Sequence, residues 1–333
     1  MPALNVIFMG TADLSCATLA ALLTDPSIRV AAVVTQPDKP HGRHLVPQPP
    51  AVKILAATAG LPVLQPARAR DPAFLTELAA FQPDLIVVAA YGQILPATIL
   101  DLPRHGCINV HTSLLPKYRG AAPIQWAIAQ GDPETGVTIM KMDVGMDTGA
   151  ILTQRPTPIT PEDTGATLHD RLAQLGAELL LATLPGYLSG EIKPQPQPAE
   201  GVTHAPKIKK EDGRVDWQRP ATEIWNRFRA FLPWPGAYTS WTTPTATHTL
   251  KLWAAQVAAG VSPAESIALL PPGSTAPAPV TPGTILAADK TGILVACGEH
   301  ALRITELQRE GGRRLTAREF LAGHPLRPGE KLG

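Results

Sequence analysis

Short, unbroken apolar runs alternate with amphipathic stretches through the first 190 residues. Leu4-Asn5-Val6-Ile7-Phe8-Met9-Gly10 reads as a buried strand stopped by glycine, and a helix over Ser15 to Leu23 follows. Val30 to Thr35 reads as a second strand, Val52 to Ala59 as a helix, Pro62-Val63-Leu64 as a short strand and Phe74 to Phe81 as a helix. Leu85 to Ala90 is the strongest apolar run. Cys107-Ile108-Asn109-Val110-His111 is a further strand, Ala121 to Gln130 a helix, Gly136 to Met142 a strand, and Thr164 to Leu184 a long amphipathic helix. Continuous apolar strands alternating with helices predict an α/β domain whose parallel sheet is covered on both faces.

Past about residue 207 the pattern changes. A helix over Ala221 to Phe231 is followed by short segments with turn signals between them: Ala237 to Trp241, Thr249 to Ala255, Gly283 to Leu286, Gly292 to Ala296 and Ala301 to Leu307. These predict a small β-barrel. The two patterns meet at Lys193-Pro194-Gln195-Pro196-Gln197-Pro198, which has little helix potential and reads as an extended linker. The expected organisation is therefore residues 1–189, a linker over 190–207, and residues 208–333. A second proline-rich stretch, about 260–282, reads as a long loop. No repeat at solenoid periods is present.

Composition narrows the class. At 333 residues with 44% hydrophobic side chains, the chain has material for about two buried cores and is not globally disordered. Its longest apolar run is far short of a membrane span, and no signal segment opens it, so neither membrane insertion nor export is expected. Three scattered cysteines, Cys16, Cys107 and Cys297, fit a reducing, cytoplasmic setting and no disulfide framework. The net charge of +1 hides an asymmetry. Residues 1–200 carry 13 basic and 17 acidic side chains, whereas residues 201–333 carry 16 and 11. A basic C-terminal part can face a polyanion.

Candidate chemistry concentrates in Asn109-Val110-His111-Thr112-Ser113-Leu114-Leu115-Pro116. Residues i and i+2 of a strand share a face, so Asn109 and His111 project together at the carboxyl end of a strand, where open α/β sheets bind ligands. An amide donor beside an imidazole suits a carbonyl whose oxygen gains charge. Asp147, within Gly145-Met146-Asp147-Thr148-Gly149 after the next strand, is expected at the same sheet edge, within reach of His111. Gly10-Thr11-Ala12-Asp13 lacks the spacing of a dinucleotide loop, and no GxxxxGK[ST] occurs. Ser113 is not in a nucleophile elbow, and Cys107 reads as a buried core thiol. No histidine shows ligand spacing, so no metal is expected.

The run Asn109 to Gly120 (Asn-Val-His-Thr-Ser-Leu-Leu-Pro-Lys-Tyr-Arg-Gly) and Asp147 in its glycine-flanked turn resemble the signature of the folate-dependent formyltransferases. The stretches Thr35 to Arg43, Ala121 to Gln125, Thr203 to Ile208 and Arg229 to Gly236 extend that resemblance over nearly the whole chain and point to the branch acting on tRNA. The resemblance implies a Rossmann-like catalytic domain followed by an OB-like barrel. It implies transfer of a formyl group from 10-formyltetrahydrofolate to the α-amine of methionyl-initiator tRNA. The alternative is a small amine such as an amino-sugar nucleotide. It assigns catalysis to Asn109, His111 and Asp147. Folate binding falls to Ser113, Leu114, Leu115 and Pro116, with the pterin expected near Tyr91, Gly92, Gln93, Ile94 and Leu95 and near Val144, Gly145 and Met146. Asn109 and His111 would donate to the oxyanion, and the sequence leaves open whether His111 or Asp147 takes the proton. Expected tRNA contacts are Lys39 and Arg43 in a loop after the second strand, and Lys207, Lys209, Lys210, Arg313 and Arg314. The chain is expected to act as a cytoplasmic monomer, with no membrane partner.

Overall fold

The computed structural model describes residues 3–41, 46–260 and 280–333. Arg43 and most of the second proline-rich stretch (261–279) lie outside the described residues. In chain order the elements up to residue 205 are β1 (Leu4–Gly10), α1 (Leu14–Thr24), β2 (Ile28–Val34), β3 (Lys39–His41), β4 (Val46–Gln48), α2 (Ala51–Thr58), β5 (Val63–Leu64), α3 (Pro72–Ala80), β6 (Leu85–Ala89), α4 (Ala97–Leu100), β7 (Cys107–His111), β8 (Arg119–Gly120), α5 (Pro123–Gln130), β9 (Glu134–Lys141), β10 (Ile151–Pro158), α6 (Gly165–Ser189) and β11 (His204–Ala205).

Seven of these strands form one sheet in the order β10-β9-β7-β6-β1-β2-β5. From β5 to β7 every pairing is parallel. Every residue of β6 and β7 is buried, as in strands covered on both faces. Strand order reverses between β1 and β6, and the carboxyl ends of those strands frame the crevice where such sheets take ligands. There the Tyr91 carbonyl accepts from Thr11 Oγ1 and Gln36 Nε2, both at 2.9 Å, which ties three strand-end loops together. Gly10 serves this packing. A Cβ there would lie 2.7 Å from the Phe8 ring and 2.8 Å from Ser15 Oγ, so the position is filled by protein rather than open to a phosphate.

The all-parallel expectation fails at one end of the sheet. β9 pairs antiparallel to β7, with His111 opposite Thr138 and Ile108 opposite Lys141, and β10 pairs antiparallel to β9. A helix between two strands permits either direction, and the sequence pattern does not choose. β10 itself was not expected, because Pro156 and Pro158 interrupt it. It lies at the sheet edge, where a missing N–H is tolerated. α6 runs through Pro185 to Ser189, one turn beyond the end expected at Leu184.

Clustering of contacts divides the described residues into two units. One takes those of Met1–Ala127, Pro133–Pro161 and Thr167–Lys207, the other those of Ile128–Asp132, Glu162–Ala166 and Ile208–Gly333. The second unit contains α7 (Ala221–Ala230), β12 (Ala237–Thr242), β13 (Thr247–Ala258), β14 (Ile285–Asp289), β15 (Gly292–Ala296), β16 (Ala301–Arg309), β17 (Leu315–Thr316) and α8 (Ala317–Gly323). Its strands are antiparallel in the order β12-β13-β16-β15-β14, with β17 on β16. Leu332 bridges Trp241 on β12, and Lys331 bridges Thr284 at the head of β14. The last residues thus link the two sheet edges into a barrel-like ring. Its core holds Trp217, Ile224, Phe228, Leu252, Ile304 and Phe320. Among the described residues no helix is long and apolar enough to cross a membrane.

Candidate active site

β7 delivers two polar side chains from an otherwise apolar strand. Asn109 is 8% exposed and His111 5% exposed, two residues apart on one face. His111 Nε2 donates to the Tyr118 carbonyl at 3.0 Å, because a carbonyl can only accept. In the neutral imidazole Nδ1 is then the nitrogen with a lone pair, and Asp147 Oδ2 lies 3.7 Å from it. The Asn109 amide makes no hydrogen bond to protein among the described residues. Its donors remain available to a ligand.

Asp147 reaches this point by a route the sequence did not show. Since β9 is antiparallel, its last residues sit beside the start of β7, where the Met142 N–H donates to the Cys107 carbonyl at 2.8 Å. The loop 143–150 leaves from there, at the opposite sheet edge to the one expected, and brings Asp147 back to the carboxyl end of β7. Asp147 adopts the left-handed region at φ 54°, which short polar residues tolerate better than others. Its Oδ2 accepts from the Gly120 N–H at 2.8 Å. Gly149 closes the turn. A Cβ there would lie 1.9 Å from the Lys141 carbonyl oxygen, so only glycine fits.

The segment before β11 is built into the same unit. Gln195 and Ile151 exchange two backbone hydrogen bonds of 2.8 Å. Thr203 Oγ1 accepts from the Tyr118 N–H at 2.8 Å, and β11 pairs with β8. This holds the carbonyl that orients His111. Gln197 Nε2 donates to the carbonyls of Asp147 and Gly149, at 2.8 Å each. The sequence reading took residues 190–207 as a linker, gave Gln197 no role, and counted Thr203 and Tyr118 only as parts of the family-like runs. The signal available was a pair of glutamines, Gln195 and Gln197, each held between prolines in an extended run.

The loop after β7 is less open than expected. Ser113 is fully buried and donates to the Lys117 carbonyl at 2.6 Å, and Leu115 is 3% exposed. Thr138 Oγ1 accepts from the Leu115 N–H and donates to the Ser113 carbonyl, while Gln154 Nε2 donates to the Leu115 carbonyl. Ser113 and Leu115 therefore shape the loop from inside, and the half-buried Leu114 and Pro116 carry what surface it presents.

Of the residues expected around a pterin, Tyr91 and Leu95 are core residues, packed in one cluster with Leu100, Cys107 and the half-buried Met142. The Tyr91 hydroxyl is buried without a partner, and burial pushes its pKa up to about 12, so it remains a donor. Gln93 is spent on the neighbouring loop, where its Oε1 accepts from the Ala69 N–H at 2.8 Å. Gly92 is exposed, at φ 80°. Ile94, Val144 and Met146 are 74%, 70% and 60% exposed, unusual for large apolar side chains, on two loops rooted in that one cluster. Gly145 lies between the latter two and is exposed, its N–H donating to Asp143 Oδ1 at 3.0 Å. A cavity of about 480 Å³ between α4 and the end of β9 includes Leu100, Met142, Asp143 and Val144 in its lining. It touches one of the two expected loops and not the other. Cys107 is an inert core thiol; burial first, and Asp101 second, push its pKa up to about 12.

The expected tRNA-binding cations differ in availability. Lys39 is exposed and donates to Gln36 Oε1. Lys207, Lys209, Lys210 and Arg313 are exposed, with no carboxylate in ion-pair range among the described residues. Arg314 is committed instead. It pairs with Glu306 and lies over the Trp253 ring at 5.2 Å.

Comparison with known proteins agrees with this architecture. The formyl transferase family model matches residues 4–184, and the model of the formyl transferase C-terminal domain matches residues 207–325. A methionyl-tRNA formyltransferase of Myxococcus xanthus is 49% identical over 98% of this chain and 97% of its own length. Among solved structures, HypX from Aquifex aeolicus in complex with tetrahydrofolic acid superposes with a TM-score of 0.58 at 18% identity, covering 98% of this chain and 49% of that one. WlaRD, a sugar 3N-formyl transferase, gives 0.62 at 16% identity, over 91% of this chain and 98% of its own. At those identities the two structures speak for the fold alone. The full-length likeness in sequence goes further: this chain belongs to the methionyl-tRNA formyltransferase family.

Proposed function

We propose that the chain transfers the formyl group of 10-formyltetrahydrofolate to the α-amine of methionyl-initiator tRNA, with Asn109, His111 and Asp147 as the catalytic groups. The observation that carries this reading is the amide–imidazole–carboxylate cluster at the carboxyl end of β7. There the Asn109 amide has no protein partner, and His111 Nδ1 faces Asp147 at 3.7 Å. In the reaction the amine nitrogen bonds to the formyl carbon, the bond from that carbon to N10 breaks, and one proton passes from the amine to N10. The carbonyl oxygen carries negative charge in between. Asn109 Nδ2 donates to that oxygen. His111, locked by Tyr118 through Nε2, takes the amine proton on Nδ1. Once protonated it donates from Nδ1, toward the oxyanion or toward Asp147. Asp147 steadies the imidazolium and helps return the proton to N10. No covalent enzyme intermediate is needed.

Ile94 on one loop and Val144 and Met146 on the other are the apolar side chains left exposed to cover the donor's flat ring system. Lys207, Lys209, Lys210 and Arg313, exposed and without an ion pair among the described residues, are the better candidates for tRNA phosphates; Arg314 is the weaker one. Asn109→Ala tests the chemistry. Loss of an oxyanion donor should lower single-turnover formylation by roughly a hundred- to a thousand-fold while leaving donor affinity within about threefold. Near-normal turnover would remove Asn109 from the mechanism.

A further inference from the structure

We infer that Gln197 is a positioning residue that fixes the backbone of Asp147 for the reaction. The inference rests on the reading of Asp147 as a catalytic group. Gln197 sits between Pro196 and Pro198, whose rings restrict the backbone to extended geometry and present the side chain at little entropic cost. Of residues 193–200 it alone is not exposed. Its segment is anchored upstream by the Gln195–Ile151 backbone pair and downstream by Thr203 on Tyr118.

Both ends of its amide are committed. Oε1 accepts from Arg119 Nε at 3.1 Å and from a terminal guanidinium nitrogen of Arg119 at 2.7 Å. Nε2 donates to the Asp147 and Gly149 carbonyls. Arginine can only donate and carbonyls can only accept, so the amide has one permitted orientation. The circuit then closes. Arg119 precedes Gly120, whose N–H holds Asp147 Oδ2 at 2.8 Å. Asp147 is thus gripped by backbone and side chain from one short stretch and its glutamine. Such a grip is what a non-glycine residue at φ 54° needs, since a left-handed conformation persists only where its surroundings over-determine it. The exposed residues Val144 to Met146 lie outside the two carbonyls that Gln197 holds and are turned by Asp143 instead, which accepts from Gly145 N–H and Thr148 Oγ1. Gln197 therefore acts on the chemical step more than on donor binding.

The test is steady-state formylation by the full-length chain, with thermal unfolding of each variant as a control on folding. Gln197→Ala is expected to lower kcat by roughly ten- to a hundred-fold, as small misplacements of catalytic groups do. The KM for the folate donor should stay within about threefold. Gln197→Glu keeps the partner of Arg119 but turns an oxygen toward two carbonyls, and should lose as much kcat as Gln197→Ala. In an Asp147→Asn background, Gln197→Ala should add less than about twofold. A Gln197→Glu enzyme with normal kcat would overturn the inference. So would a Gln197→Ala loss that multiplies undiminished through the Asp147→Asn background, or one that falls on KM alone. Wild-type turnover by Asp147→Asn itself would sink the reading of Asp147 first, and the inference with it.

Discussion

Two kinds of polar residue lie on β7, its loop and the neighbouring β9, and hydrogen-bond accounting separates them. Ser113 and Thr138 spend their hydroxyls on the loop's own backbone, whereas Asn109 keeps its amide unspent although only 8% of the residue is exposed. An amide set this deep in a strand, with no protein partner among the described residues and still reached by solvent, is free to meet a ligand, which is why such a group marks a site. Cys107, two residues earlier on the same strand, shows the opposite case. Burial pushes its pKa up to about 12, so it stays a thiol at pH 8. Cys297 is likewise buried and pushed up to about 12. Thiol titration of the native protein at pH 8 should therefore register no fast reaction from Cys107 or Cys297, leaving only the half-buried Cys16, and all three thiols should react after unfolding. Rapid labelling of Cys107 in active enzyme would mean that the strand is open to solvent, and the account of the site would need revision.

Among the elements, those with unbroken apolar runs were legible in the sequence. β7 spans the five residues expected, Cys107 to His111, and all five are buried. α3 begins at Pro72, two residues before the expected start, since Asp71 caps it by accepting from the Ala73 N–H and proline suits the first turn. α8 went unseen, although Thr316 and Glu319 form the capping box that announces it. The direction of β9 was not legible at all. Periodicity reports burial and does not report strand polarity, so the edge from which the loop leaves was misjudged, while Asp147 itself comes within 3.7 Å of His111. That loop depends on Gly149. Gly149→Ala sets a methyl group 1.9 Å from the Lys141 carbonyl oxygen, and the β9–β10 turn must shift to admit it. Chemical denaturation should show a loss of about 1–3 kcal/mol, the usual cost of overpacking. Formylation should fall further than stability does, because Asp147 is carried on the shifted turn. Unchanged stability and turnover would show that the turn has room the structure denies.

For the whole molecule, the change of pattern near residue 207 marks where an apolar α/β sheet gives way to antiparallel strands, and charge changes sign over the same region. What composition could not show is that the proline-rich stretch before that boundary is part of the catalytic unit. Gln195, Gln197 and Thr203 look like linker residues because their partners, Ile151, Asp147 and Tyr118, are distant in sequence. A basic C-terminal unit carried on a formyltransferase chain has a direct use if the amine acceptor is part of a polyanion. The decisive measurement is transfer of labelled formyl from 10-formyltetrahydrofolate to initiator tRNA, charged with methionine or left uncharged, by the full-length chain. The account predicts label on the charged tRNA alone, joined to the methionine amine. Label on neither tRNA, with efficient transfer to a small amino sugar in the same assay, would contradict it.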